Sequence, residues 1–184
     1  PNMPRSFGEN NVHVSQIVGW CESDYPLLDI TPAPAGDLDR RIAALVAERI
    51  VDGATIQSGI GGVPNALMPL LEGHRDLGIH TELLTDGLVD LIESGAATGL
   101  NKVSRPGKVV TTFALGTART YDYLADNPMV EMRPVDWVND PRIIGREPLF
   151  ASINATLEVD FPHAATVGRD AQEFTFRREI DALH

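Results

Sequence analysis

From Asp37 onward, apolar positions fall into short blocks whose period switches back and forth between that of a helix and that of a strand. In DLDRRIAALVAERIVDG, Ile42, Leu45, Val46, Arg49 and Ile50 recur near i, i+3, i+4 spacing. Asp37 stands where an N-cap is expected and Gly53 just past the end, so the segment predicts a helix. ATIQSG predicts a strand, VPNALMPLLEG a helix with Pro64 at its first position, LGIHTEL a strand, and DGLVDLIESG a helix capped by Asp86 and ended by Gly95. VVTTFALG then predicts a strand, TARTYDYLADN a helix, MVEMRP a strand, VNDPRIIG a turn or short helix, and FASINATLEVD one or two strands. Residues 1–36 have little periodicity and close with TPAPAG; they predict an irregular arm with one strand around HVSQIV.

Strand and helix in alternation predict an α/β fold: an open, mostly parallel sheet with helices on both faces, because parallel neighbours need a crossover and a helix is the usual one. The pattern leaves the strand order open. In such sheets ligands gather outside the carboxyl ends of the strands, which directs attention to the loops after ATIQS, GIHTE and TTFAL.

Composition narrows the function class. The 184 residues suit one domain with a substantial core, and 43% apolar with 22% charged residues is far from a disordered composition. With 26 acidic against 15 basic residues, a net charge of −11 and no basic run, no nucleic-acid surface is expected. A single Cys21 supplies neither an internal disulfide nor a thiolate zinc cage, and suits a reducing cytoplasm. The five histidines lack metal-ligand spacing, so no metal is expected, and Ser15, Ser58 and Ser152 have no partnered His and Asp in their sequence context. No stretch approaches the ~20 apolar residues of a membrane span. PNMPRSFGENN lacks both a signal-peptide core and an initiator Met, and the expectation is a chain that was processed or begins inside a longer protein.

Two strand ends carry candidate chemistry. Gly59-Ile60-Gly61-Gly62-Val63-Pro64 joins a strand to a helix; its glycines permit close backbone approach, and free amides there could hold an anion or a developing oxyanion. The plainer reading is a tight turn that needs small residues. A dinucleotide fingerprint is a rival: it wants a third glycine where Pro64 stands, although Glu82 follows at the distance of a ribose-binding acid. At the second end, His80-Thr81-Glu82 closes an apolar strand, where a carboxylate can be a nucleophile or base, or simply a solvated surface group. His80 shares a strand face with Glu82, a placement equally suited to packing, a hydrogen bond or catalysis.

GATIQSGIGGVPNALMPLL, LGIHTELLTDGLVDLIESG, RPGKVVTTFALGT, NPMVEMRPVDWVNDPRII and SINATLEVD, five blocks in order, resemble the carboxyl-half domain of the acetyl-CoA hydrolase/transferase family. The resemblance is strongest to its 4-hydroxybutyrate and butyryl-CoA:acetate CoA-transferase branch and runs from about Asn2 to Asp160. It implies the class I CoA-transferase (NagB/RpiA-like) fold, with the active site between two related α/β halves. It makes Glu82 the nucleophile that carries coenzyme A as a glutamyl thioester, Gly59, Ile60, Gly61, Gly62 and Val63 the coenzyme A and oxyanion loop, and Asn154 a residue near the thioester. Coenzyme A is then a substrate with no permanently bound cofactor, and the partners are an acyl-CoA and a small carboxylate.

Periodicity sets off an arm over 1–36 from the α/β domain over 37–160, and the end of the resemblance leaves a divergent or truncated tail over 161–184, which lacks the family's later glycine-rich segments. A central fragment, or a product of gene decay or an altered reading frame, is therefore expected, either homo-oligomeric or dependent on an amino-terminal half. A dinucleotide-binding module and a non-catalytic remnant of the transferase are the alternatives. Lys102, Arg105, Lys108 and Arg119 are candidates for coenzyme A phosphates or for a solvated face, and Trp20, Trp137, Tyr121 and Tyr123 are read as core or interface.

Overall fold

The structure, a computed structural model, describes residues 3–154 and the backbone of Glu158–Asp160 and Ala164–Thr166. The rest of the tail expected over 161–184 lies outside the described residues. In chain order the elements are β1 (Phe7–Gly8), α1 (Asp37–Ala47), β2 (Thr55–Ser58), α2 (Gly62–Leu67), β3 (Gly78–Leu84), α3 (Asp86–Glu93), β4 (Val109–Ala114), α4 (Ala118–Leu124), β5 (Val130–Met132), α5 (Val135–Val138), α6 (Pro141–Ile144), β6 (Phe150–Ile153), β7 (Glu158–Asp160) and β8 (Ala164–Thr166). β7 and β8 form an antiparallel pair. The other six strands make one parallel sheet in the order β1-β5-β4-β3-β2-β6.

From β2 to β5 the chain steps across the sheet one strand at a time, and β6 then returns to the far side of β2. Crossovers between parallel strands are right-handed, so reversing the direction of travel moves the connecting helices to the opposite face. Strand residues Ile56, Ile79, Val109, Val130 and Ile153 share one core with Ala43 of α1, Leu67 of α2, Leu88 and Leu91 of α3 and Leu124 of α4. Each buried Leu, Ile or Val among them stabilises the fold by about 2 kcal/mol. α5, on the returning crossover, packs instead against β3 and β4, with the Trp137 ring stacked on His80. The alternation of side chains along β3 therefore separates Ile79 and Thr81, which face the main helices, from His80 and Glu82, which face α5.

Local boundaries differ from the sequence expectation where short polar contacts decide them. Around HVSQIV there is no strand: Val14–Gln16 is a 3-10 turn, held by Ser15 N–H donating to His13 Nδ1 and His13 N–H donating to Gln16 Oε1. The arm's one strand is Phe7–Gly8, which extends the sheet beside β5. Asp37 and Asp86 are not caps of their own helices, since Gly36 and Thr85 occupy those positions. Asp86 instead accepts from Thr117 N–H and from the hydroxyls of Thr117 and Thr120, so it caps α4 across the sheet. Pro64 is the third residue of α2. The α1 stripe is only partly buried: Ala43 enters the core while Leu38, Ile42 and Leu45 stay exposed, and Ile50, beyond the end of the helix, is buried.

Candidate functional site

The strand order reverses between β2 and β6, and the carboxyl ends of the strands at such a reversal are the place in open α/β sheets where ligands bind. Gly59 follows β2 and Asn154 follows β6, and the ladder continues past both strands through Gly59 N–H donating to the Ile153 carbonyl at 2.8 Å. Ile56 pairs with Ile79, so three residues further on Gly59 lies level with Glu82. Thr81 and Leu83 pair with Thr111 and Phe113, which sets Thr112 beside Glu82 on the other side. Asn154, Gly59, Glu82 and Thr112 thus form one transverse row at the carboxyl end of the sheet, although they come from four separate stretches of sequence. Register alone produces the row, because parallel strands in register bring equivalent positions side by side.

Glu82 is half-buried and projects toward the α5 side of the sheet. Its Oε2 accepts a hydrogen bond from Asn139 Nδ2 at 2.7 Å. Asn139 directly follows α5; the Asn-Asp-Pro run that ends one helix and starts the next is its only local signal in the sequence, and only the returning crossover puts it over β3. The Thr112 hydroxyl, next to Glu82, is buried with no hydrogen-bond partner among the described residues.

On the β2 side, the glycine loop is shaped by its own sterics. Gly61 has φ of +127° and ψ of 179°, a conformation that side chains rarely adopt. A Cβ at Gly62 would strike the Asp39 carboxylate, and one at Gly59 would come within 2.5 Å of Asn154 Oδ1. The carbonyl of Gly61 accepts from Asn65 N–H, while no hydrogen bond among the described residues uses the amides of Gly61, Gly62 or Val63. Ile60 is exposed at the loop tip. Asn154 is anchored in a polar ladder: its Nδ2 donates to Gln57 Oε1 at 2.9 Å and to Ser152 Oγ at 3.1 Å, and Ser152 Oγ also donates to Gln57 Oε1.

His80, two residues before Glu82, is fully buried and its Nε2 lies 2.7 Å from the Val138 carbonyl. Burial, only partly offset by that hydrogen bond, holds its imidazole below the ordinary value of 6.5, so the ring is uncharged at neutral pH. The basic residues considered for coenzyme A phosphates are engaged elsewhere. Lys102 is buried, with Nζ donating to the carbonyls of Ile79 and Lys108; Arg105 pairs with Glu131; Lys108 donates to the Pro128 carbonyl; Arg119 pairs with Asp90 and Glu93. Lys102, Arg105 and Lys108 precede β4 and stand at the amino end of the sheet, opposite Glu82. Among the described residues there is no cluster of His, Cys, Asp and Glu suited to a metal ion, and no helix long and apolar enough to cross a membrane.

Residues 116–172 match the family model of the acetyl-CoA hydrolase/transferase C-terminal domain. The chain is 46% identical over 160 residues to a succinyl-CoA:cyclohexane-1-carboxylate CoA transferase of Geobacter metallireducens, covering 87% of this chain and 37% of that protein. It is 42% identical over 159 residues to the 4-hydroxybutyrate coenzyme A transferase of Clostridium kluyveri, covering 86% and 37%. The crystal structure of a 4-hydroxybutyrate CoA-transferase from Porphyromonas gingivalis superposes with a TM-score of 0.84 at 43% identity, over 89% of this chain and 42% of that one. The chain therefore spans roughly two-fifths of the length of the relatives it matches. With the five sequence blocks and the α/β sheet in agreement, the chain belongs to the acetyl-CoA hydrolase/transferase family and carries sequence of its carboxyl half.

Proposed function

We propose that this chain supplies the glutamate-bearing half of a CoA-transferase site, moving coenzyme A between an acyl-CoA and a small carboxylic acid through a thioester on Glu82. The observation that supports this most directly is the half-buried Glu82 carboxylate, level with Gly59 at the topological switch point, with one oxygen held by Asn139. The Glu82 carboxylate attacks the thioester carbonyl, the carbon–sulfur bond breaks, and coenzyme A leaves as thiolate from a mixed anhydride. The thiolate then attacks the glutamyl carbonyl, releases the first acid as its carboxylate and leaves glutamyl-CoA. The acceptor carboxylate runs the two steps in reverse, and charge balances throughout without a proton transfer. No general base is needed, in keeping with an imidazole at His80 that is buried, neutral and turned to a backbone carbonyl.

Asn139 holds Oε2, which leaves the other carboxylate oxygen to attack. When the glutamyl carbonyl is attacked in turn, the same amide faces the oxygen that gains charge, where one such donor contributes ~3 kcal/mol. In this reading the amides of Gly61, Gly62 and Val63 face the tetrahedral oxyanion and the pantetheine side, Asn154 lies near the thioester, residues 37–160 are the working α/β unit, and residues 1–36 are the arm that adds β1 to its edge. A second α/β half, from elsewhere in a longer protein or from a partner chain, covers the opposite side of Glu82. The single, exposed Cys21 supports a reducing cytoplasm as the setting.

The test is a chimera in which this chain replaces the matched segment of the Clostridium kluyveri relative. After incubation with acetyl-CoA, mass spectrometry is expected to find coenzyme A on the Glu82 peptide, removed by hydroxylamine. An active chimera with no adduct, or one whose Glu82→Gln variant retains full transfer, overturns the reading; binding of a dinucleotide in place of coenzyme A points to the phosphate-loop alternative.

A further inference from the structure

We infer that His80 is a positioning residue for the reactive carboxylate, acting through the backbone of Val138 to hold the Asn139 amide on Glu82. This rests on the proposed role of Glu82.

His80 Nε2 is 2.7 Å from the Val138 carbonyl, and the Asn139 amide nitrogen is 2.7 Å from Glu82 Oε2. Val138 and Asn139 are consecutive, while His80 and Glu82 are two apart on one face of β3. The four residues therefore close a small ring of contacts, two from the strand and two from the end of α5. That helix is one turn long and ends on a returning crossover, so little of its own hydrogen bonding fixes where Asn139 points. The contacts from β3 supply the missing constraint: Trp137 stacks on the imidazole with ring centroids 5.6 Å apart, Phe150 meets it edge-on at 6.1 Å, and Nε2 anchors the carbonyl.

A carbonyl only accepts, so Nε2 carries the proton and the neutral ring's Nδ1 is a bare lone pair. Nδ1 is buried and has no hydrogen-bond partner among the described residues. Leaving a polar nitrogen unsatisfied in a packed site costs free energy that a phenyl ring in the same stack avoids. What the imidazole adds over phenyl is a single donor, and that donor is spent on the residue before Asn139.

The experiment compares His80→Phe, His80→Asn and His80→Gln in this chain. Gln places its amide nitrogen near the Nε2 position and keeps the donor, Asn falls short of the carbonyl, and Phe keeps the stack alone. The first readout is the side-chain amide proton signal of Asn139 by NMR, which needs no catalysis. It is expected to move upfield in His80→Phe and His80→Asn, as the bond to the carboxylate loosens, and to return toward its wild-type position in His80→Gln. Should His80→Phe fail to fold, judged by circular dichroism, Asn against Gln makes the same comparison. The second readout is thioester formation on Glu82 in the chimera, expected to fall ~10-fold in His80→Asn with apparent acyl-CoA affinity unchanged, as for the loss of one oriented hydrogen bond. An Asn139 signal that stays in place, or that moves equally in Asn and Gln variants, overturns the proposal. A chimera without any Glu82 adduct defeats the nucleophile reading instead, and the NMR comparison still decides the positioning role.

Discussion

Asn139 donates its side-chain amide to Glu82 Oε2 at 2.7 Å from 57 residues further along the chain. One oxygen of the carboxylate is thereby fixed in direction while the other is left for chemistry. Asn139→Ala in the chimera is expected to lower kcat by about 100-fold or more with little change in acyl-CoA binding, since the lost donor acts on the oxygen that gains charge. Asn139→Asp is expected to be worse, because it sets a second negative charge against Glu82. Steady-state kinetics with acetyl-CoA and a short-chain acid check both, and equal kcat in wild type and Asn139→Ala refutes the role.

Glu82→Asp tests the reach of the nucleophile separately from its charge. The shorter side chain draws the attacking oxygen back by about one carbon–carbon bond, and misplacement of ~1 Å costs on the order of 100-fold. Single-turnover formation of the coenzyme A adduct measures it directly. Adduct formation at the wild-type rate would show that the site does not depend on the position of this carboxylate.

Gly61→Ala probes the loop without touching Glu82. At φ of +127° an alanine is strained, at a cost of about 1–3 kcal/mol unless the loop changes shape. Urea unfolding is expected to show that loss of stability, and the Gly61→Ala chimera a weakened coenzyme A affinity. A variant equal to wild type in both would mean that the loop's backbone shape is immaterial.

Asp86→Ala removes the cap that α4 borrows from the start of α3. The expected loss is about 1–2 kcal/mol. Burial opposes the charge of Asp86, but hydrogen bonds from the Thr120 and Thr117 hydroxyls and the Thr117 amide outweigh it and hold the carboxyl below the ordinary 3.8. A carboxyl held lower in the folded than in the unfolded state contributes stability above the ordinary value and loses it as pH falls through the folded one. The gap between wild type and Asp86→Ala should therefore close below about pH 3.8, as measured by urea titrations across acid pH.

Lys102 lies in the sheet's other polar cluster, away from the site. Burial lowers its pKa from 10.5 to about 8, against the pull of Glu147 and Glu131. Between those values the unfolded chain binds more protons than the folded one, so this residue's contribution to stability improves as pH rises from about 8 to 10.5. Lys102→Met leaves the carbonyls of Ile79 and Lys108 without their donor, for an expected loss of about 1–3 kcal/mol at neutral pH. Urea unfolding from pH 7 to 10 should show a steeper upward slope for wild type than for Lys102→Met.

The period changes along the chain, with Gly53, Gly95 and the glycines after Ser58 as punctuation, were enough to read the alternation of strand and helix and hence a parallel α/β sheet. The same local chemistry marked the Gly59–Val63 turn and the acid at the end of GIHTE, because short-range sterics and strand periodicity act within a few residues. Tertiary structure decided what depends on distant partners. The strand order put β6 beside β2 and so brought Asn154 against Gly59 at the point where that order reverses. The reversed crossover carried α5 to the opposite face, and only there could Asn139 meet Glu82 and His80 meet the Val138 carbonyl. Asp86 looked like the cap of its own helix because propensity is local; the hydroxyls of Thr117 and Thr120, brought close by β4 packing beside β3, claimed it instead. Lys102 looked like a solvated cation for the same reason. A charge is read from sequence as exposed by default, and nothing short of the folded loop supplies the two carbonyls and the carboxylate that let it be buried.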